Sequence, residues 1–221
     1  NKGGIKMHTL VDLRGNLPVS VYLTSASVND VKALDNLYIE PSAIYLMDRG
    51  YVDFNRLFKL ITKKNAFFVT RAKDNMLFEV VSEAEVDKST GIISDERIKL
   101  TGLHTAKWYP EELRMVTYED YATSKVYRFL TNNMEYEALT ISELYRERWN
   151  VELYFKWIKQ HLHIKSFYGT SENAIYLQIW IAICTYLLLA YAKKVMHIDQ
   201  SLHTISKNVG LFLTDKTPLN E

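Results

Sequence analysis

The chain has 221 residues, 48% hydrophobic and 24% charged, with only 8 Gly and 4 Pro. That composition excludes disorder, collagen-like repeats and low-complexity linkers, and the length is enough to bury one sizeable core. The single cysteine, Cys184, excludes a disulfide framework or a Cys-based zinc site within the chain, and it makes a reducing, cytoplasmic setting the default. The formal charge is +1, but residues 1–74 carry +4, residues 75–140 carry −5 and residues 141–221 carry +2. A polyanionic partner would meet the two flanks. The polar opening Asn1-Lys2-Gly3-Gly4 does not read as a signal peptide.

Residues 5–13 alternate in part and predict a strand, Gly15-Asn16 a turn, and residues 17–24 the returning strand of a hairpin. Asn29 or Asp30 can cap a short helix running to about Leu37. Ala43-Ile44-Tyr45-Leu46-Met47 is an apolar run of buried-strand length that ends at Asp48. Asp53 caps a helix with Phe54, Leu57, Phe58 and Ile61 at helical spacing, and residues 66–70 form the next buried strand. This is an α/β arrangement.

From about 75 to 135 the pattern changes to short β-type runs (77–81, 97–100, 114–118 and 125–130) between polar, acidic turns. An all-β insertion is expected there. From Ile141 the chain reads as one amphipathic helix to about His161, and then a second helix from Ser171 to about Lys194. The division is 1–74 for the first part of the core, 75–138 for the β-rich insertion and 139–221 for the C-terminal helical part. Residues 174–192 carry no charge over the length of a membrane span. Gln178, Thr185 and scattered tyrosines, in a chain otherwise patterned for water, favour a core helix covered on most sides.

The segment from Tyr145 to Lys159 is the most informative. At about 100° per residue, Val151, Tyr154, Ile158 and Leu162 share an apolar face, while Tyr145, Arg148, Glu152, Lys156 and Lys159 share another. Such Arg–Glu–Lys spacing is also a common helix-stabilising device. Here the stripe is cationic around one carboxylate, with Tyr145 and Trp149 beside it, which suits a metal-dependent reaction on a nucleic-acid backbone. Asp48 stands just past a buried strand, where α/β sheets bind ligands, although Asp followed by Gly50 also opens ordinary turns.

Together these residues resemble a known family. Asp48-Arg49-Gly50-Tyr51 is similar to the second-aspartate motif of bacterial DDE transposases of the insertion-sequence-four family. Tyr145, Arg148, Glu152 and Lys159 match that family's Y-(2)-R-(3)-E-(6)-K signature in residue and spacing. Residues 66–75 and 169–174 resemble the family as well, so the likeness covers nearly the whole chain.

The resemblance implies a ribonuclease-H-like core with a β-rich insertion between the second acid and the glutamate. Asp48 would be the second acid and Glu152 the third, both holding metal; Arg148 and Tyr145 would contact phosphates, and Lys159 the transposon end. Arg71 and Lys156 are further candidates for DNA contact. Two magnesium ions, replaceable by manganese, would activate water or a 3′-hydroxyl and stabilise the leaving oxygen. The implied partners are terminal inverted repeats and target DNA, bound by a homodimer, with no membrane, in the bacterial cytoplasm at the nucleoid. The function implied is metal-dependent hydrolysis and strand transfer at insertion-sequence ends. The alternatives are a catalytically inactive DNA-binding remnant and a nuclease of the same fold.

The family's first aspartate lies on the strand preceding the hairpin, upstream of Asn1, and Asp12 sits on the wrong strand to replace it. The chain therefore reads as a fragment lacking the first, central strand, and no cleavage is expected from it alone. His161 and His163 lack a nearby Cys or third His, so a metal site there is disfavoured. Cys184 reads as an inert core thiol, and Trp108 and Trp180 as packing residues.

Overall fold

In the computed structural model, residues 4–161, 169 and 171–212 are described. His163 and the side chain of His161 lie outside these residues. The chain divides into two compact units, Asn1–Leu10 with Ser20–Arg148, and Val11–Val19 with Trp149–Glu221.

The predicted hairpin forms from β1 (Ile5–Asp12) and β2 (Leu17–Ser25). Its turn places Asn16 at φ 51°, a left-handed conformation that Asn tolerates. A 3-10 helix, Asp30–Asn36, follows, and its cap is Asn29, whose side chain accepts from Val31 N–H. β3 (Ile44–Leu46) runs parallel to β4 (Phe67–Arg71). Between them Asp53 accepts from Arg56 N–H, as expected of a cap. The helix it starts is not uniform: an α turn, α1 (Phe54–Arg56), passes through a π segment at Leu57–Ile61 into a 3-10 turn at Thr62–Lys64.

β5 (Phe78–Glu83), β6 (Ile92–Leu100), α2 (Thr105–Trp108), β7 (Leu113–Asp120) and β8 (Lys125–Thr131) complete the first sheet. Its order is β3-β4-β8-β7-β6-β5. The strands after residue 75 thus continue the sheet begun by β3 and β4, because β8 returns antiparallel to β4 with Thr70 opposite Leu130. Successive residues of a strand point to opposite faces. Phe68, Met115 and Leu130 join Leu57, Ile61 and Tyr109 in one core, while Val69, Val116 and Phe129 join Ile141 and Tyr145 in another. The middle of the sheet is therefore buried on both sides, by residues 54–64 on one face and by α3 (Ala138–Glu147) on the other. At the far edge, a register shift between Val80 and Ser82 interrupts the β5–β6 ladder.

The single helix predicted over 141–161 is instead two. α3 ends at Glu147, Arg148 forms a turn with its N–H on Tyr145 C=O at 3.1 Å, and α4 (Trp149–His161) begins at once. Arg148 keeps right-handed dihedrals (φ −54°, ψ −26°), so the helical period runs through the break without betraying it.

The second unit holds the hairpin tip, α4, α5 (Glu172–Val195) and α6 (Leu202–Phe212). Ser171 caps α5 by accepting from Ala174 N–H at 3.2 Å. Tyr154 of α4 meets Tyr186 of α5 edge-on at 4.9 Å, and the Tyr186 hydroxyl donates to Asn16 C=O at 2.8 Å. The expectation that α5 is covered on most sides is corrected. Ile179, Ala182, Ile183, Tyr186 and Leu189 are buried, but Leu177, Ile181, Leu188 and Tyr191 are exposed. By length and composition α5 alone among the described helices could cross a membrane. Cys184 is exposed and not a core thiol, and Trp108 and Trp180 are also exposed. A helix apolar all round gives no pattern from which its covered side can be read.

One buried charge cements the sheet. Arg114 on β7 is 8% exposed and makes two 2.7 Å bonds to the Asp95 carboxylate on β6. It also donates to Tyr136 C=O. Removing one partner strands the other without solvent, so Asp95→Ala is expected to lower the unfolding free energy by about 3 to 5 kcal/mol, measured by urea denaturation.

Candidate functional site

Within the first unit, β3 delivers Asp48 to the end of the sheet. Met47 N–H still pairs with Val69 C=O at 3.1 Å, and the next residue leaves the ladder. Asp48 then turns the chain, its Oδ1 accepting from Gly50 N–H at 3.0 Å. That is the ordinary turn role read from the sequence, and it coexists with a second one. The Asp48 side chain is 59% exposed and its Oδ2 lies 3.8 Å from Arg148 Nη1. A turn that fixes one oxygen leaves the other presented at the strand end.

Tyr145 and Arg148 come from α3 and its C-terminal cap, on the face of the sheet that Ile44 and Leu46 share. Ile141 and Tyr145 sit on the core-facing stripe of α3, with the Tyr145 ring 4.9 Å from Phe129 of β8. The Arg148 guanidinium stands over the Tyr145 ring, 5.5 Å from its centre. Burial pushes the Tyr145 hydroxyl above its ordinary range, with Arg148 and Arg71 pulling it back and Asp48 adding to the rise. Tyr145 is only 8% exposed, so its ring packs in the core although its helical angle groups it with Arg148, Glu152, Lys156 and Lys159. Arg71 ends β4, exposed, with its guanidinium 5.2 Å from the centre of the Tyr127 ring.

Tyr51 and Asp30 near Asp48, and His8 beside Tyr51, are not singled out for this role by the sequence. Tyr51 closes the same turn, and burial, with Asp30 and Asp48 nearby, raises its hydroxyl to about 12. Its hydroxyl oxygen lies 3.1 Å from Nδ1 of His8, whose Nε2 lies 3.0 Å from Thr24 Oγ1. His8 is 6% exposed, and burial lowers its basicity, with Asp30 opposing the change. Asp30 itself is paired with Lys6 at 3.0 Å. A Cβ on Gly50 would lie 3.8 Å from Asp48 Oδ1 and 4.0 Å from Asp30 Oδ2, so both carboxylates flank this glycine. Contacts between residues 8, 30 and 51 leave no periodic trace in the sequence.

Glu152, Lys156 and Lys159 belong to the second unit, on α4. Their spacing keeps them on one helical face, with Glu152 half-buried and both lysines exposed. The structure thus assembles Asp48, Tyr145 and Arg148, with Arg71 near them, in one unit, and Glu152, Lys156 and Lys159 in the other. Among the described residues no three His, Cys, Asp or Glu side chains are gathered to hold a metal. The donor type at Asp48 nevertheless fits a hard divalent cation: an exposed carboxylate with one oxygen free of backbone bonds.

Residues 1–188 match the family described as Transposase DDE domain. The chain is similar to a Sinorhizobium fredii protein named as transposase y4zB, 36% identical over 203 residues, which are 90% of this chain and 56% of that protein. A Geobacillus stearothermophilus protein named as the transposase for insertion sequence element IS5377 is 29% identical, over 99% of this chain and 58% of its own. A Synechocystis protein named as the transposase for insertion sequence element IS4SA is 27% identical, over 96% of this chain and 57% of its own. The chain spans just over half the length of these relatives.

The burial of Tyr145 separates its packing from any contact with a ligand. Tyr145→Ala is expected to cost about 3 to 5 kcal/mol of stability by thermal or urea unfolding, as for other large aromatics cut from a core. Tyr145→Phe keeps the ring against Phe129 and is expected to unfold within about 1.5 kcal/mol of the parent, since a near-isosteric swap preserves packing.

Proposed function

The chain belongs to the DDE transposase family, and from that premise we propose that it is the catalytic part of a transposase of the insertion-sequence-four group. It would hydrolyse and join phosphodiesters at insertion-sequence ends. The observation that carries the reading is Asp48: a solvent-presented carboxylate at the carboxyl end of a core strand, 3.8 Å from the Arg148 of the Y-R-E-K signature. Asp48 and Glu152 are the residues that would hold divalent ions. Bound there, such ions would activate the attacking hydroxyl and stabilise the leaving oxygen.

The chain's own cations have the complementary task. Arg148 offers a planar fork suited to a phosphate and is held in place by the Tyr145 ring beneath it. Lys159 and Lys156, exposed on α4, would contact the transposon end and the adjoining backbone, and Arg71 the strand near β4. The substrates would be terminal inverted repeats and target DNA, bound by a homodimer in the cytoplasm at the nucleoid. The first acid of the triad would come from a strand beside β3, which has β4 as its single neighbour among the described residues.

A second reading is a DNA-binding remnant that keeps the cationic stripe, with Lys156 and Lys159 exposed on α4, without turnover. Mutation in a longer protein containing this chain separates the two. There, Asp48→Ala and Glu152→Ala are each expected to abolish magnesium-dependent strand cleavage of a terminal-repeat duplex, while circular dichroism and DNA binding persist. Cleavage that survives either change would remove that residue from the metal site; absence of cleavage in the parent protein would favour the remnant.

The 221-residue chain by itself is expected to bind that duplex with steep salt dependence and to leave it uncut in magnesium. Nicking by the isolated chain, lost on Asp48→Ala, would overturn the assignment of the first acid to another strand.

A further inference from the structure

A second cationic point lies beside the turn of Asp48. Asp74, in the loop after β4, is 84% exposed, and its two oxygens face different arginines. Oδ2 accepts from Arg49 Nη1 at 3.1 Å, and Oδ1 lies 3.6 Å from Arg128 Nη2. The arginines come from separate elements, Arg49 from the turn after β3 and Arg128 from β8, and both remain partly exposed. Lys73 adds a charge next door, its ammonium donating to Val52 C=O at 2.9 Å, and Arg71 lies two residues before it. Arg49, Gly50, Lys73, Asp74 and Asn75 line an open cleft of about 390 Å³. Among the other acids, Glu96 is close enough for its carboxyl to be stabilised as the anion by Arg128, though burial holds its pKa above the usual value.

An ion pair this open to water contributes little to folding and is screened by salt. Two separate elements nevertheless converge their charges on one carboxylate. A phosphodiester presents two anionic oxygens to arginines much as a carboxylate does. Resting on the DNA reading above, we infer that Arg49 and Arg128 form a phosphodiester cradle separate from Arg148, which Asp74 fills as a resident counter-anion until a DNA strand displaces it. Arg49 directly follows Asp48, so a strand laid across the candidate acid would run its adjoining phosphates over this cradle. Asp74 then acts as a threshold: it lowers affinity for any backbone that cannot compete for both guanidinium groups at once.

The test is a titration of the chain with a labelled random-sequence duplex over a salt series. Asp74→Asn is expected to tighten binding about three- to tenfold at low salt, because it removes a competing anion without removing a cation. Arg49→Gln and Arg128→Gln are expected to weaken binding and each to flatten the log–log salt slope by about one, the loss of one phosphate contact. Asp74→Ser serves in place of Asp74→Asn if the latter fails to fold by circular dichroism. Weaker or unchanged binding by the Asp74 variant overturns the counter-anion role, and parent-like binding by both arginine variants overturns the cradle. If Arg148→Gln weakens binding while these variants do nothing, the DNA reading stands and the cradle falls. If the parent chain binds no duplex at any salt, both fall.

Discussion

The pairing of β8 with β4 is the constraint on which the first unit depends. β4 is buried on both faces, with Phe68 and Val69 fully inaccessible, so its backbone groups can be satisfied only by strands on either side. β3 fills one side and β8 the other. Asn132, just past β8, strengthens the junction by accepting from Phe68 N–H at 2.9 Å and donating to Ala66 C=O at 3.0 Å. Everything at the candidate site inherits this register. Asp48 leaves the sheet where β3 runs out beside Val69, and Arg148 arrives on a helix seated against Val69, Val116 and Phe129.

The charges at the site are held differently from those in the core. Arg114 and Asp95 are nearly closed to solvent and bonded at 2.7 Å, whereas Asp48 and Arg148 sit 3.8 Å apart with the carboxylate open to water. The first pair has the geometry of a fixed cross-link. The second is a longer contact, with the Asp48 carboxylate 59% exposed and the Arg148 side chain 22% exposed. The aromatic platform of Tyr145 under Arg148 supplies order at the guanidinium.

Local signals were legible in the sequence. Asp53 and Ser171 act within three residues of themselves as caps, and the apolar run ending at Asp48 marked both the strand and the acid beyond it. What escaped was long-range or silent in period. The pairing of β4 with β8 joins residues some 60 positions apart, between strands whose patterns say only that they are strands. The turn at Arg148 costs no change of handedness, so a stripe drawn through it looked continuous. Tyr145 was grouped with the charged residues by angle, yet its ring belongs to the core, since an amphipathic side chain on a stripe boundary can be assigned to either face. The buried Arg114 had no signal at all, because its partner Asp95 lies on a different strand.

The six-stranded sheet has two unequal rims. Its outer strand, β5, carries Glu79, Ser82 and Glu83 and is bent by the register shift after Val80, features that discourage another chain from docking edge to edge. The opposite rim is β3, three residues long, with the uncharged sequence Ile-Tyr-Leu and no irregularity of its own. Charge and irregularity are thus confined to one rim, the one farthest in strand order from the border where Asp48 stands.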